Sequence, residues 1–259
     1  MKEPQPARLL LTALPAFPLV RPGDDLASLI AQSAMQSRIT PADGDVIVAA
    51  QKIVSKSENR FVDLASIVPS PRAVGVASQV GKDPRLVEVI LSESRRIVRQ
   101  RPNVLIVEHR LGFVTANAGV DQSNVAPADG VDRVLLLPED PDRSAEALRM
   151  QLQTRFGVRI AVVINDSFGR AWRRGTIGIA LGAAGLPALM DKRGDPDLFG
   201  RSLRATVIGF ADEIAAAASL LMGQADEGLP VVIVRGLRWS AAANPGAALI
   251  RAESEDLFR

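Results

Sequence analysis

The chain has 259 residues, with 31 Lys and Arg against 29 Asp and Glu, a net charge of +2, one His and no Cys or Tyr. A chain of this length buries roughly 70–75% of the surface it exposes when unfolded, which suffices for one large domain or two smaller ones. The lack of Cys excludes disulfides, thiolate catalysis, iron–sulfur clusters and zinc ribbons. The near-balanced charge and the scarcity of aromatic residues argue against a nucleic-acid partner.

The hydrophobic pattern predicts an α+β protein in which strands and helices are mixed along the chain. Continuous or alternating apolar runs predict strands, and apolar residues spaced three or four apart predict helices. The predicted strands are Leu9–Leu14, Val46–Ala50, Val104–Val107, Gly112–Ala116, Ile160–Ile164, Leu203–Phe210 and Pro230–Val234. The predicted helices are Leu26–Met35, capped by Asp24 or Asp25, then Pro84–Ser94, Ser144–Phe156, ended by Gly157, and Ala211–Met222, ended by Gly223.

No low-complexity linker divides the chain, so we expect a single domain over residues 1–259. The Pro- and Asp-rich section Pro138–Asp142 is the best candidate for a crossing between two substructures. The N-terminal apolar patch, Met1–Phe17, is short and broken by proline, and no other stretch reaches the length of a membrane span. We therefore expect a cytoplasmic protein with no membrane partner.

The segment Val162–Gly185 carries the densest chemistry of the chain. A predicted buried strand stops at Asn165, Asp166 and Ser167, the arginines Arg170, Arg173 and Arg174 follow, and a helix-like run rich in Gly and Ala comes last. Oxygen ligands beside guanidinium groups suit a metal-bound phosphate. The alternative interpretation is a polar turn and a solvated basic loop, with Ser167 as a cap and Trp172 as a packing residue.

Two further polar loops follow predicted strands, namely Gln51–Lys56 and Asn117–Asn124, and a fourth loop, Gly223–Gly228, follows a helix. If these loops converge, Asp121 and Asp166 share a divalent cation, while Lys56 and the arginines hold phosphates. The single histidine, His109, is predicted to be a surface or half-buried strand residue, so a metal here would be bound by oxygen. Neither a P-loop nor a G-x-G-x-x-G motif is present.

Five blocks of sequence together resemble the coenzyme F420-0:L-glutamate ligase family. They are QKIVSKSENR, ANAGVDQSNV, NDSFGRAWRRGTIGIALGAAG, DPDLFGR and ADEIAAAASLLMGQADEG, and the likeness runs from Phe17 to Gly236. The resemblance implies a mixed α+β fold, an intertwined homodimer, and addition of glutamate to a deazaflavin with a phospholactate tail. It also implies GTP as co-substrate and one or two Mn²⁺ or Mg²⁺ ions, and it leaves any K⁺ requirement open.

The resemblance also implies individual site residues. Asp121 and Asp166 match ligands of one divalent cation, and Ser167 matches a ligand of a second cation. Gln224 stands where some members have a glutamate that binds this second ion, and its neutral amide would ligate without the carboxylate charge. The positions that match nucleotide contacts are Phe17, Pro18, Leu19, Val20, Gln51, Lys52, Lys56, Asn124, Met222, Gly223, Gln224, Ala225, Asp226, Glu227, Gly228 and Leu229.

The expected activity is GTP-dependent ligation of L-glutamate to the phospholactate carboxylate of F420-0, followed by γ-linked glutamate, through an acyl phosphate. Lys56, Arg170, Arg173 and Arg174 are the expected catalytic residues, because they would hold phosphate or carboxylate groups. Two alternatives stay open: the same ATP- or GTP-driven ligation on another carboxylate acceptor, and a metal-dependent GTP hydrolase. A third, an RNA-binding module that uses Arg170–Arg174, is disfavoured by the near-neutral charge.

Overall fold

A computed structural model describes residues 7–125 and 132–257 of the chain. The first six residues of the N-terminal stretch lie outside these ranges, so the prediction for Met1–Phe17 is addressed only from residue 7 onward. Within the described ranges, every helix is too short or too polar to cross a membrane.

The chain forms twelve strands and six α-helices within the described ranges, and the mixture confirms the α+β prediction. The strands are β1 (Leu10–Ala13), β2 (Val46–Ala50), β3 (Phe61–Asp63), β4 (Ser94–Arg101), β5 (Val104–His109), β6 (Val114–Ala116), β7 (Arg133–Leu135), β8 (Ala161–Arg170), β9 (Arg173–Ala184), β10 (Met190–Asp191), β11 (Val207–Ile208) and β12 (Val231–Arg235). The helices are α1 (Leu26–Gln36), α2 (Gln51–Ser57), α3 (Pro71–Val80), α4 (Pro84–Ser92), α5 (Pro141–Phe156) and α6 (Phe210–Met222).

A five-stranded sheet in the order β1-β12-β2-β8-β9 forms the centre of the molecule. Only β2 and β8 run parallel, with Ala50 paired to Asn165 at their carboxyl ends. Even-numbered residues of β8, such as Val162 and Ile164, join a core that includes residues of α1, α2 and α5. Odd-numbered residues, such as Val163, join a core with α6 on the other face. This alternation decides which side chains of β8 meet which helix.

A third apolar cluster is built from α3, α4 and the antiparallel sheet β4-β5-β6. Strands β3 and β7 pair beside it, and Leu136 belongs to this cluster whereas Leu137 belongs to the central core. The chain therefore returns to the central sheet just before Pro138–Asp142, and α5 begins at Pro141. We call the part of the chain built on this third cluster the second lobe. The assignment of one domain to the whole chain stays a prediction.

The Gly- and Ala-rich run after Trp172 is a strand, so the prediction of a helix-like segment was wrong. Strand β9 pairs along its length with β8 and packs against helices, and its glycines allow the close approach. A Cβ on Gly178 would lie 2.2 Å from Ser219 Oγ and 2.4 Å from the Ala215 carbonyl oxygen of α6. A Cβ on Gly182 would lie 2.2 Å from the Pro141 carbonyl oxygen of α5. Small residues at these positions serve helix packing on a strand, not helix formation.

Two predicted loops are regular structure. Gln51–Lys56, predicted as a loop, lies in helix α2. Strand β8 does not stop at Asn165 but continues to Arg170, because β9 extends alongside it. Ser167 therefore lies within a strand and caps no helix.

Other boundaries also differ from the predicted ones. The predicted strand Leu203–Phe210 shrinks to β11, and Phe210 begins α6. Helix α3 and strand β4 were missed. The cap of α1 is Asp25, whose carboxylate accepts the Ser28 N–H at 3.0 Å, and Gly157 ends α5 in the left-handed region, as predicted.

His109 is fully buried, so the prediction of a surface or half-buried residue was wrong. It lies at the end of β5, where its Nδ1 accepts the Leu111 N–H at 3.0 Å and its Nε2 lies 3.4 Å from Glu93 Oε2. The charged neighbours of His109 in the sequence have distant partners: Glu108 pairs with Arg96, and Arg110 pairs with Glu93.

Candidate functional site

A cavity of about 470 Å³ opens at the carboxyl ends of β2 and β8. Ligand sites favour such carboxyl ends because the loops that follow parallel strands meet there. The structure brings together here every residue that the sequence predicts for nucleotide or metal binding. Its walls come from residues 17–20, from α2, from Asp121–Asn124, from β8 and from residues 222–230.

Helix α2 projects two lysines toward the segment that carries Asp121. Lys52 Nζ lies 2.7 Å from Asp121 Oδ2 and donates to Ser123 Oγ at 2.7 Å. Lys56 Nζ donates to the Asn124 carbonyl oxygen at 2.7 Å. Burial, together with the neighbouring Lys52 charge, lowers the pKa of Lys56 below its usual range. The one-turn spacing of Lys52 and Lys56 places both ammonium groups on one face of the helix.

The Asp121 carboxylate is held in one orientation by its neighbours. Burial alone would raise its pKa, but hydrogen bonds from Lys52 and from the Ser123 N–H lower the pKa below its usual range. The Asp121 N–H and carbonyl bond Leu135 at 3.0 and 2.9 Å, which ties the segment to β7. Upstream, Asn117 and Ala118 both have φ near +55°, a conformation that costs a non-glycine residue on the order of 1 kcal/mol. This strained turn precedes Asp121 and directs the chain so that Asp121 lies next to Lys52 of α2.

Asp166 presents a carboxylate that is poorly compensated. Its Oδ1 accepts the N–H of the adjacent Ser167 at 2.8 Å. Removal from water raises the pKa of Asp166 to about 7, with the Asp121 charge adding to the rise and Lys52 opposing it. Asp121 and Asp166 therefore interact electrostatically, and one lysine is shared between two carboxylates. A bound cation would relieve this repulsion.

The loop after α6 closes the far wall of the cavity. Glu227 folds back so that its Oε2 accepts the Ala225 N–H at 2.8 Å, and backbone N–H groups of this loop lower the Glu227 pKa. Asn124 Nδ2 donates to the Ala225 carbonyl oxygen at 3.0 Å, which joins this loop to the Asp121 segment. Gln224, Asp226 and Glu227 are exposed and face the cavity.

The donor set fits a hard divalent cation. Within residues 7–125 and 132–257, no cluster of three or more His, Cys, Asp or Glu side chains could hold a metal. The cavity instead offers two carboxylates, the Ser167 hydroxyl and the Gln224 amide. Mg²⁺ characteristically takes one or two carboxylates and completes its shell with water and substrate phosphates. The unbalanced pair Asp121 and Asp166 is therefore suited to such an ion.

Comparison of the chain with known proteins shows the family to which it belongs. The model of the F420-0:Gamma-glutamyl ligase family matches residues 16–236. The chain belongs to this family. It is 49% identical over 255 residues to the "Coenzyme F420:L-glutamate ligase" of Methanopyrus kandleri, covering 97% of this chain and 98% of the relative.

Two further relatives carry the same name. The protein of Methanothermobacter thermautotrophicus is 47% identical over 251 residues, covering 96% of this chain and 98% of the relative. That of Methanocaldococcus jannaschii is 42% identical over 261 residues, covering 100% and 99%. The likeness therefore extends over essentially the full length of both chains.

Three predicted catalytic residues of this F420-0:gamma-glutamyl ligase family member do not line the cavity. Arg170, Arg173 and Arg174 lie at the far end of the β8–β9 hairpin, where Arg173 and Arg174 are exposed. Trp172, in the turn between the strands, is 85% exposed, so it is not the buried packing residue that was one interpretation. Asp197 begins a turn in which its Oδ1 accepts the N–H groups of Phe199 and Arg201.

Two site residues of this family member were missed from the sequence. Asn165 lines the cavity, and its Nδ2 donates to Ser219 Oγ at 3.0 Å and contacts Met222 Sδ at 3.3 Å, which fixes α6 against β8. Ser123 bridges Lys52 and Asp121. Strand alternation would have placed Asn165 opposite Asp166, but Ser123 carried no signal because its partner lies 71 positions away. Gln51 is a predicted nucleotide contact, but its side-chain Nε2 donates hydrogen bonds to Ser55 Oγ and to the Leu136 carbonyl oxygen.

Proposed function

We propose that this protein is a GTP-dependent ligase that joins L-glutamate to the terminal carboxylate of F420-0 and then adds γ-linked glutamate. The observation that carries the proposal is the convergence of Lys52, Lys56, Asp121 and Asp166 in one cavity. Two carboxylates and two ammonium groups suit a metal-bound nucleoside triphosphate. The description of the family supplies F420-0 as the acceptor, and the names of the relatives supply L-glutamate as the amino acid.

The proposed reaction proceeds through an acyl phosphate. The acceptor carboxylate oxygen attacks the γ-phosphorus of GTP, and GDP leaves. The amine nitrogen of glutamate then attacks the acyl carbon, inorganic phosphate leaves with the C–O bond electrons, and the nitrogen loses a proton to solvent. Lys56 holds phosphate oxygens, because its ammonium group is partly withdrawn from water and lies beside Lys52, where an anion would offset both charges.

Strand geometry supports two separate cation positions. Asp166 and Ser167 are neighbours in β8, so their side chains point to opposite faces of the sheet. Asp166 lies on the side of α2 with Asp121, and Ser167 lies on the side of α6, which precedes Gln224. Asp121 and Asp166 would hold one Mn²⁺ or Mg²⁺ ion, and Ser167 and Gln224 would contact a second. Such ions, when bound, neutralise phosphate charge.

The resemblance to the family also supports an intertwined homodimer, which we propose for this chain. Sedimentation equilibrium tests it, with a mass near twice 27.6 kDa as the expected result.

The decisive experiment incubates the protein with F420-0, L-glutamate, GTP and Mn²⁺ or Mg²⁺ and follows products by mass spectrometry. We expect mass increments of one glutamyl residue that require both GTP and metal. Asp166→Asn should lose this activity, and Asp195→Asn is its matched control, because Asp195 is an exposed carboxylate outside the cavity. GTP hydrolysis without any glutamyl product would overturn the ligase proposal in favour of a hydrolase or another acceptor.

A further inference from the structure

The far end of the β8–β9 hairpin carries three arginines that the cavity does not use. We call Arg170, Arg173 and Arg174 the arginine end. Arg170 and Arg173 face each other as cross-strand partners, and Arg174 follows at the point where the register shifts. Among residues 7–125 and 132–257, none of the three forms an ion pair, whereas Arg235 pairs with Asp45 at 2.6 Å and Arg110 with Glu93 at 3.1 Å.

This arrangement is electrostatically unfavourable in the absence of an anion. Like charges placed opposite each other on neighbouring strands destabilise a sheet. In addition, Arg170 Nη1 is buried and has no hydrogen-bond partner among the described residues. A buried donor without a partner loses its hydration and gains nothing in return. Both observations are explained if the arginine end accepts an anion.

The position of Arg170 relates the arginine end to the proposed reaction centre. Arg170 lies four residues after Asp166 in β8, on the same face, and about 13 Å from it along the strand. Between them, the buried ring of Phe168 packs edge-to-face on Phe113 with ring centroids 5.9 Å apart. Because the three arginines do not line the cavity, they are not placed to hold the nucleotide phosphates beside Lys52 and Lys56.

We propose that the arginine end binds a second anionic group of the acceptor, a phosphate or carboxylate other than the carboxylate that reacts. This inference rests on the proposed function. Strand β8 leads from Asp166 to the arginines, so an acceptor that reacts near Asp166 and extends beyond the cavity in this direction would bring a second anionic group to them. Guanidinium groups match phosphate and carboxylate oxygens with paired hydrogen bonds. The shared ligand chemistry is an oxyanion, supplied either by the phosphodiester or by a glutamyl residue already attached.

The test compares Arg173→Ala combined with Arg174→Ala, Arg170→Lys, and the control Arg159→Ala. Arg159 is an exposed arginine just before the opposite end of β8, paired with Asp43. Acceptor binding without GTP is measured by titration calorimetry, nucleotide binding is measured separately, and acceptor KM and kcat come from the ligation assay. We expect the double variant to weaken acceptor binding and raise acceptor KM roughly 10- to 100-fold.

The same experiment separates the sources of the anion. We expect nucleotide Kd within about twofold of wild type in every variant, and Arg159→Ala unchanged. Because Arg170→Lys keeps the charge but loses the paired geometry, its expected loss of acceptor binding is smaller. Weakened binding of the glutamate-free acceptor assigns the arginine end to the phosphodiester. Weakening confined to the monoglutamylated acceptor assigns it to the glutamyl carboxylate.

Three results would overturn the inference. They are unchanged acceptor binding in the double variant, an equal rise in nucleotide Kd, and a change of sedimentation mass with acceptor KM unaltered. Failure of the proposed function is a different result: wild type would bind the acceptor without ligating glutamate to it. The binding titrations would still decide the inference in that case.

Discussion

Glu93 in the second lobe and Asp166 in the cavity are both carboxylates partly withdrawn from water, yet their surroundings move their pKa values in opposite directions. Glu93 lies 3.4 Å from His109 Nε2, 3.1 Å from Arg110 Nε and 3.5 Å from Arg60 Nη2. The close approach of His109 and the positive charges of Arg110 and Arg60 lower the pKa of Glu93 to about 2. Desolvation raises that of Asp166 to about 7.

The difference separates a structural carboxylate from one that is poised for a ligand. The fold surrounds Glu93, just after α4, with Arg60 from the segment after α2 and with His109 and Arg110 at the end of β5. Asp166 receives a single backbone N–H and a lysine that Asp121 already engages. A protein gains stability from the first arrangement and gives some of it up in the second. Substitutions at the two positions should therefore have opposite consequences.

Asp166→Asn should have the largest effect, and the effect should be on activity. We expect kcat/KM for glutamyl transfer to fall by about 10³ or more, equivalent to about 4 kcal/mol of transition-state stabilisation. The melting temperature should stay the same or rise, because the uncompensated charge is removed. Ligation assays and thermal denaturation of the same sample check both parts. Near wild-type activity would remove Asp166 from the site.

Glu93→Gln should have the next largest effect, and this one should be on stability. Removal of the charge leaves Arg60 and Arg110 without their carboxylate, so we expect the free energy of unfolding at pH 7 to fall by about 1–3 kcal/mol. Urea denaturation measures it. Activity per folded molecule should remain within about twofold of wild type, since Glu93 does not line the cavity. A loss of activity at full stability would contradict the comparison.

The stability difference between wild type and Glu93→Gln should vanish in acid. The pKa of Glu93 is lower in the folded protein, about 2, than the ordinary value of 4.5. The stabilisation is therefore fully present above about pH 4.5 and is lost as the pH falls toward about 2. Urea denaturation of both proteins at several pH values through this window measures the closing difference, which is at most on the order of 3 kcal/mol. If the difference in unfolding free energy grew as the pH fell, it would have the opposite pH dependence and would contradict a lowered pKa of Glu93.

Arg60→Lys should have the smallest effect of the four. The substitution keeps the positive charge near Glu93 but removes the Nε–H bond to the Leu137 carbonyl oxygen, which is 2.9 Å long. We expect a loss of about 0.5–1.5 kcal/mol in unfolding free energy at neutral pH. Arg72→Lys, at an exposed position of α3, is the control with no expected change. A larger loss than that of Glu93→Gln would show that Arg60, not Glu93, is the centre of the network.

Much of the fold was predictable where the determining interactions are local. Asp25 caps α1 and Gly157 ends α5 through contacts within a few residues, and both were predicted. Strand β9 was not, because its Gly and Ala residues have weak strand preference and its identity depends on pairing with β8. The burial of His109 was missed because Glu93 lies 16 positions away in the sequence.

By itself, the sequence determined the chemistry available to this protein. A chain without Cys and with one His leaves oxygen ligands for any metal, and the family resemblance marked out Asp121 and Asp166. Only the tertiary structure decided which groups meet. It joins Lys52 to Asp121 across 69 positions and leaves Arg170, Arg173 and Arg174 outside the cavity. Local patterns record which side chains exist and which face they take, but convergence requires strand order and register, which long-range pairing and packing set.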